Sequence, residues 1–123
     1  NDLYRNSLEY QDVYKIYKII IDELVTFFNK QELDNVNKIV IDYGISNLKN
    51  DNLEEELSKL VKLNNDEIEI VSIEINEDEL YIKLSIDVSG IFSGLINKSM
   101  FDVESSYVGY MEDENKKIER VSR

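Results

Sequence analysis

Cysteine and histidine are both absent from the 123 residues of this chain. Their absence removes thiolate and imidazole nucleophiles, His-based acid–base catalysis, disulfides and zinc sites of the usual Cys/His kind. It does not assign a compartment; it removes only the disulfide route to stability. Tryptophan, proline and alanine are missing too, while Ile, Asn and Lys abound, as AT-rich codon usage would produce. Glycine is scarce, and Gly90 and Gly94 lack the Lys-Ser/Thr pair that would follow in a phosphate-binding loop. No serine sits in a Gly-x-Ser-x-Gly elbow. Gly90-x-x-x-Gly94 has small-residue helix-packing spacing but no apolar segment of about 20 residues around it. No apolar run of about that length occurs anywhere, so nothing here reads as a bilayer span.

Positive charge is also in short supply. Lys and Arg number 14 against 26 Asp and Glu, for a net charge of −12 and a pI of about 4.4. Such a chain repels phosphate backbones and anionic membrane surfaces, which argues against nucleic acid as a partner. With 42% hydrophobic and 33% charged residues in 14.4 kDa, the composition is that of one soluble folded domain with a single core, residues 1–123.

The acidic residues cluster at Glu54–Glu56, Asp66-Glu67-Glu69, Glu77-Asp78-Glu79 and Glu112-Asp113-Glu114. Paired carboxylates can hydrolyse a glycoside or hold Ca²⁺. None follows the alternating Asp-x-Asp-x-Asp-Gly pattern, and all fall at expected turns or a helix start, where carboxylates are well solvated. Glu77-Asp78-Glu79 is the most plausible adventitious Ca²⁺ position. The expectation is no catalytic residue, no metal, no cofactor and no small-molecule substrate. Asn97-Lys98-Ser99 matches a glycosylation acceptor, a signal expected by chance in many chains.

The clearest secondary-structure signal is Leu80–Val88. Leu80, Ile82, Leu84, Ile86 and Val88 alternate with Tyr81, Lys83, Ser85 and Asp87, the period of a half-buried antiparallel strand. Ile68–Ile75 reads as a strand with a phase fault: Ile68 and Ile70 share one parity, and Val71, Ile73 and Ile75 the other. A bulge near Ile70-Val71 would return both sets to one face. Asn76–Glu79 makes the hairpin loop between the two. Phe101–Tyr110 resumes as a strand with Phe101, Val103, Ser105 and Tyr107 on one face. Glu112–Asn115 turns the chain, and Lys116–Val121 returns as an edge strand whose Lys117 and Arg120, with Arg123 beyond, discourage recruitment of another strand.

Ahead of these lie three expected helices. From about Leu3 or Leu8 to Asn29, the residues Val13, Ile16, Tyr17, Ile20, Leu24, Phe27 and Phe28 share one side, and Glu9, Asp12, Lys15, Lys18, Asp22 and Glu23 occupy the other. Tyr4, Tyr10, Tyr14 and Tyr17 crowd its first half; they either rim the core or meet an interface. Glu32–Tyr43 reads as a second helix with Leu33, Val36, Ile39, Val40 and Tyr43 inward and Gly44 as its left-handed cap. The β-branched run Ile39–Ile41 would also suit a strand. Asp51, as N-cap, and Glu54 start a third helix with Leu53, Leu57, Leu60 and Val61 buried, ending at Asn64-Asn65. The fold class is therefore α+β: a long N-terminal helix plus two shorter ones (about 3–64), laid on a roughly four-stranded antiparallel meander (about 67–121).

The connector after Val88 carries Ile91, Phe92, Leu95 and Ile96 between two expected strands, with Gly90 before Ile91 and Gly94 before Leu95. These four residues either plug the open end of the core or form a partner contact.

The layout, with Leu84-x-Ile86-x-Val88-x-Gly90-Ile91-Phe92 and Val103-x-x-Ser106-Tyr107-x-Gly109-Tyr110, resembles type IV pilin-like subunits, and in particular clostridial-type TadE-like pilus assembly proteins. The likeness covers the chain in layout and about 25 residues in motif. It implies a non-enzymatic structural or assembly subunit whose partners are other protein subunits. The globular part would be extracytoplasmic, on the cell surface or anchored by an apolar segment of about 20 residues preceding Asn1. The chain opens without an initiator Met, which suits a processed or trimmed product. The alternative is a soluble acidic module of regulatory or immunity type, cytoplasmic, that occupies a basic partner surface.

Overall fold

A computed structural model describes the backbone of residues 2–87 and 102–123, and the side chains of residues 10–87 and 102–123. Two helices precede a four-stranded sheet. Helix α1 spans Asp2–Ser46 and α2 Leu53–Asn64; strands β1 to β4 span Ile68–Ile75, Glu79–Asp87, Asp102–Glu112 and Asn115–Arg120. The α+β architecture expected from the sequence is therefore present, with two helices in place of three.

The first two expected helices are one continuous helix of 45 residues. No proline or glycine interrupts residues 29–32, and the Asn29 side-chain amide donates back to the Val25 carbonyl at 2.8 Å. Asn29 thus bonds within the helix rather than capping its end. The run Ile39–Ile41 is helical because Val40 and Ile41 are buried in the core; packing overrides the β preference of branched residues. Gly44 lies inside α1, not at a left-handed cap. A Cβ there would fall within the Leu80 side chain and press on Leu57, so this glycine permits close approach of helix to sheet.

After Ser46 the chain turns through Asn47–Asn52. Asn52, not Asp51, is the N-cap of α2, and its side chain makes no cap bond. Asn50 takes over much of that work. Its Oδ1 accepts from the Asn52 N–H at 3.0 Å, and its amide donates to the Glu56 carboxylate at 2.9 and 3.0 Å. Tyr43 Oη also donates to Glu56, at 2.8 Å, so one carboxylate joins the end of α1 to the start of α2. Leu53, Leu57 and Val61 are buried as the periodicity requires.

The sheet is an antiparallel meander in the order β1-β2-β3-β4. Strand β1 pairs Ile68 with Ile86, Ile70 with Leu84, Ile73 with Ile82 and Ile75 with Leu80, and its register shifts between Ile70 and Ser72. Val71 is the extra residue and is exposed; the bulge keeps the four isoleucines on one face. Asp113 (φ 51°) and Glu114 (φ 70°) form a tight two-residue turn between β3 and β4, the primed geometry that matches strand twist. Val88 and Phe101 lie outside the described residues.

The core sits between the second half of α1 and one sheet face. Leu33, Val36, Val40, Ile41 and Ile45 pack with Leu80, Ile82, Leu84, Ile86 and Val103, and α2 adds Leu53, Leu57 and Val61. Ile39 and Tyr43, expected inward, are exposed, whereas Ile41 is fully buried. Gly109 lies under the helix, where a Cβ would collide with Ile41 and Ile45. On the other sheet face Tyr81 and Val108 are also buried. The last residues lie on this side: the Val121 N–H donates to the Ser106 carbonyl at 3.1 Å, and the Arg123 guanidinium lies 5.0 Å from the Tyr81 ring centre.

Candidate interaction surface

Helix α1 carries two apolar faces, one after the other, on opposite sides. At roughly 100° per residue, Val25, Leu33, Val36, Val40 and Gly44 lie on the side that meets the sheet. Continued toward the N-terminus, that same side carries Gln11, Lys15, Lys18 and Asp22. The apolar stripe of the first half runs along the far side. Val13, Ile16, Tyr17, Ile20, Leu24, Phe27 and Phe28, expected to pack on the sheet, are all exposed instead.

The stripe has a strict seven-residue repeat. Tyr10, Tyr17 and Leu24 are spaced by seven; so are Val13, Ile20 and Phe27, and so are Tyr14, Ile21 and Phe28. In heptad terms these are positions a, d and e over three consecutive heptads. Eight of the nine are exposed by 45–71%, and Ile21 is half-buried. The next heptad places Gln31, Asp34 and Asn35 at the same positions, which ends the stripe where α1 joins the sheet. Phe27 and Phe28 meet edge to face with ring centres 5.7 Å apart. A continuous exposed apolar strip of this length makes this face of α1 the candidate contact surface.

A polar cluster holds α1 in place on the sheet. The Asn37 amide donates to the Ile82 and Ser105 carbonyls, both at 3.1 Å, and to Ser105 Oγ at 3.3 Å. Ser105 Oγ in turn donates to Asp34 Oδ1 at 2.7 Å. Arg120 from β4 bonds Asp34 Oδ2 at 2.8 Å, and Lys30 lies 3.5 Å from Oδ1. The Lys30 ammonium also donates to the Glu104 carbonyl. Every member has a structural partner except one atom: buried Asn37 Oδ1 has no donor. The arrangement orients the helix.

No protein family model, curated protein or solved structure matches the chain. The site is thus read from its own geometry. Among the described residues no group of three acidic side chains is placed to hold a metal ion, and no helix is long and apolar enough to cross a membrane. Glu77, Asp78 and Glu79, the acidic turn best suited by sequence to an adventitious Ca²⁺, form no such group. The expected contact residues Ile91, Phe92, Leu95 and Ile96 lie outside the described residues. In sequence the α1 stripe reads as core-facing, because a periodic apolar stripe is also how a helix packed on its own sheet reads. The exact spacing by seven, together with its tyrosines, was the available signal.

Proposed function

We propose that this protein is a non-catalytic assembly subunit with a helical stalk and an acidic head. The first half of α1 packs against helices of other protein subunits, and the four-stranded domain with α2 forms the head that such packing displays. One observation carries this reading: the three-heptad apolar face of α1 turned away from the protein's own core. A monomer gains nothing from setting polar Gln11, Lys15 and Lys18 on its domain side while leaving Phe27 and Phe28 in water. The pilin-like resemblance is of the same kind, a long helix whose second half lies on an antiparallel meander. On that finer reading the head is extracytoplasmic and the subunit is anchored through a preceding apolar segment.

The test is the double variant Ile20→Glu/Leu24→Glu. Both side chains are exposed in the single chain, so assembly is lost, while at dilutions where the wild type is dissociated the two proteins melt at the same temperature. A variant that melts far below wild type at that dilution would show that these residues belong to the core, and the reading fails. The finer reading predicts that the native protein fractionates with envelope material outside the cytoplasm. A second reading, an acidic module for a basic partner, is favoured by the head's charge: 21 acidic against 10 basic residues from position 31 onward. It predicts assembly unaffected by the double variant, and salt-sensitive capture of a basic protein.

A further inference from the structure

Resting on the assembly reading, we infer that the α1 stripe pairs with the same stripe of a second copy of this chain, with the two helices antiparallel. The first support is the order of side chains along the seam. In an antiparallel helix pair, positions a of one chain face positions d of the other. With a at Tyr10, Tyr17 and Leu24, and d at Val13, Ile20 and Phe27, the stripe overlaps itself completely. Tyr10 meets Phe27 of the second copy, Tyr17 meets Ile20, and Leu24 meets Val13. Each layer occurs twice about a twofold axis, as a self-complementary surface requires. One layer is aromatic (Tyr10 with Phe27), one mixed (Tyr17 with Ile20) and one aliphatic (Leu24 with Val13). A parallel pair instead stacks Tyr10 on Tyr10, Tyr17 on Tyr17 and Phe27 on Phe27.

Charge supplies the second support. The first 30 residues carry five acidic and four basic side chains, so the stalk is almost neutral, whereas the remainder carries 21 acidic and 10 basic. The acidic excess therefore sits in the head. An antiparallel overlap of residues 10–27 separates the head-proximal ends by roughly 27 Å at 1.5 Å per residue. That is more than three Debye lengths at physiological ionic strength, each about 8 Å. A parallel pair sets both acidic heads at the same end of the stalk. Interface size agrees with a stable pair. Eight large side chains, each about half exposed, bury on the order of 800 Å² per chain, the standard size for a specific interface.

The chain has no cysteine, so a single introduced thiol is unique. Tyr10→Cys and Phe27→Cys chains, mixed in equal amounts and mildly oxidised, should give the mixed disulfide in excess over either homodisulfide. Val13→Cys with Leu24→Cys should do the same, an independent pair in case one substitution perturbs the helix. Light scattering of the wild type should report twice the 14.4 kDa chain mass. Homodisulfides at each position would show parallel packing and overturn this inference while leaving the assembly reading intact. A wild type that stays monomeric, with no cross-link from either pair, also overturns it; assembly would then require a different subunit. The Ile20→Glu/Leu24→Glu melting test decides the assembly reading separately.

Discussion

Ser105 Oγ donates to Asp34 Oδ1 at 2.7 Å, linking the middle of β3 to α1 inside the core. Asp34 lies a few residues beyond the last apolar heptad. At this point the helix exchanges an outward apolar face for an inward one. Ser105→Ala removes the donor and leaves a buried carboxylate oxygen poorly satisfied, at a cost of about 1–3 kcal/mol. Urea unfolding should show this as a lower midpoint with unchanged slope. An unchanged midpoint would mean the hydroxyl contributes nothing to holding the helix.

Gly109 and Gly44 mark where α1 lies closest to the sheet. Gly109→Ala places a methyl group within the space of Ile41 and Ile45, and overpacking of this kind costs about 1–3 kcal/mol. Trimming the helix side with Ile45→Val should restore part of the loss. Gly44→Ala is a sharper case, since helix propensity alone would favour alanine by about 1 kcal/mol. The Leu80 side chain occupies that position, so the variant should nevertheless melt below wild type.

The β1 bulge makes an unusual deletion tolerable. Ile70 pairs with Leu84 and Ser72 with Lys83, leaving Val71 without a partner position. Removing Val71 yields the unbroken alternation Ile68-Glu69-Ile70-Ser72-Ile73-Glu74-Ile75, with every isoleucine still facing the core. The deletion variant should fold, with the same β1–β2 pairings visible as cross-strand proton contacts by NMR. Deleting Ser85 from β2 instead moves Ile86 to the wrong face and should abolish cooperative melting.

Two phenols report on alkaline stability. The hydrogen bond from Tyr43 to the Glu56 carboxylate raises the Tyr43 pKa above its ordinary value of 10.0, with desolvation and the Glu56 charge acting in the same direction. Tyr110 is raised likewise by its hydrogen bond to Glu119. A folded-state pKa above the unfolded one contributes stability that is complete below the unfolded pKa, and it is lost as pH rises through the folded value. Stability should thus fall above about pH 10 through these two tyrosines. Tyrosinate absorbance should show a late-titrating component from Tyr43 and Tyr110, and Glu56→Gln should shift the Tyr43 part of it to lower pH. Identical titration curves for wild type and Glu56→Gln would refute the assignment.

Much of the sheet was legible in the residues. A half-buried strand imposes its own period of two, so the alternation of Leu80, Ile82, Leu84 and Ile86 corresponds directly to burial. The phase fault at Ile70-Val71 could be resolved only by a bulge if all the isoleucines were to face the core. Helix α2 was equally plain, because Leu53, Leu57 and Val61 repeat at helical spacing behind three first-turn glutamates. All of these are local signals, decided within a few residues by backbone geometry.

Other features depended on contacts distant in sequence. Whether Asn29–Glu32 broke the helix could not be read from propensity, since nothing there forbids either outcome; the merged helix follows from Asn29 bonding back to Val25. Gly44 looks like a cap in sequence and is a point of close packing, a difference that exists only because Leu80 arrives beside it. Asp34 and Asn37 look like surface residues until Ser105 and Arg120 meet them. Periodicity established by itself that the first half of α1 has an apolar face. It could not say what covers that face, because a sheet of the same chain and a helix of another select for the same stripe. Only the tertiary structure, by placing the core on the opposite side of the helix, turned that stripe outward.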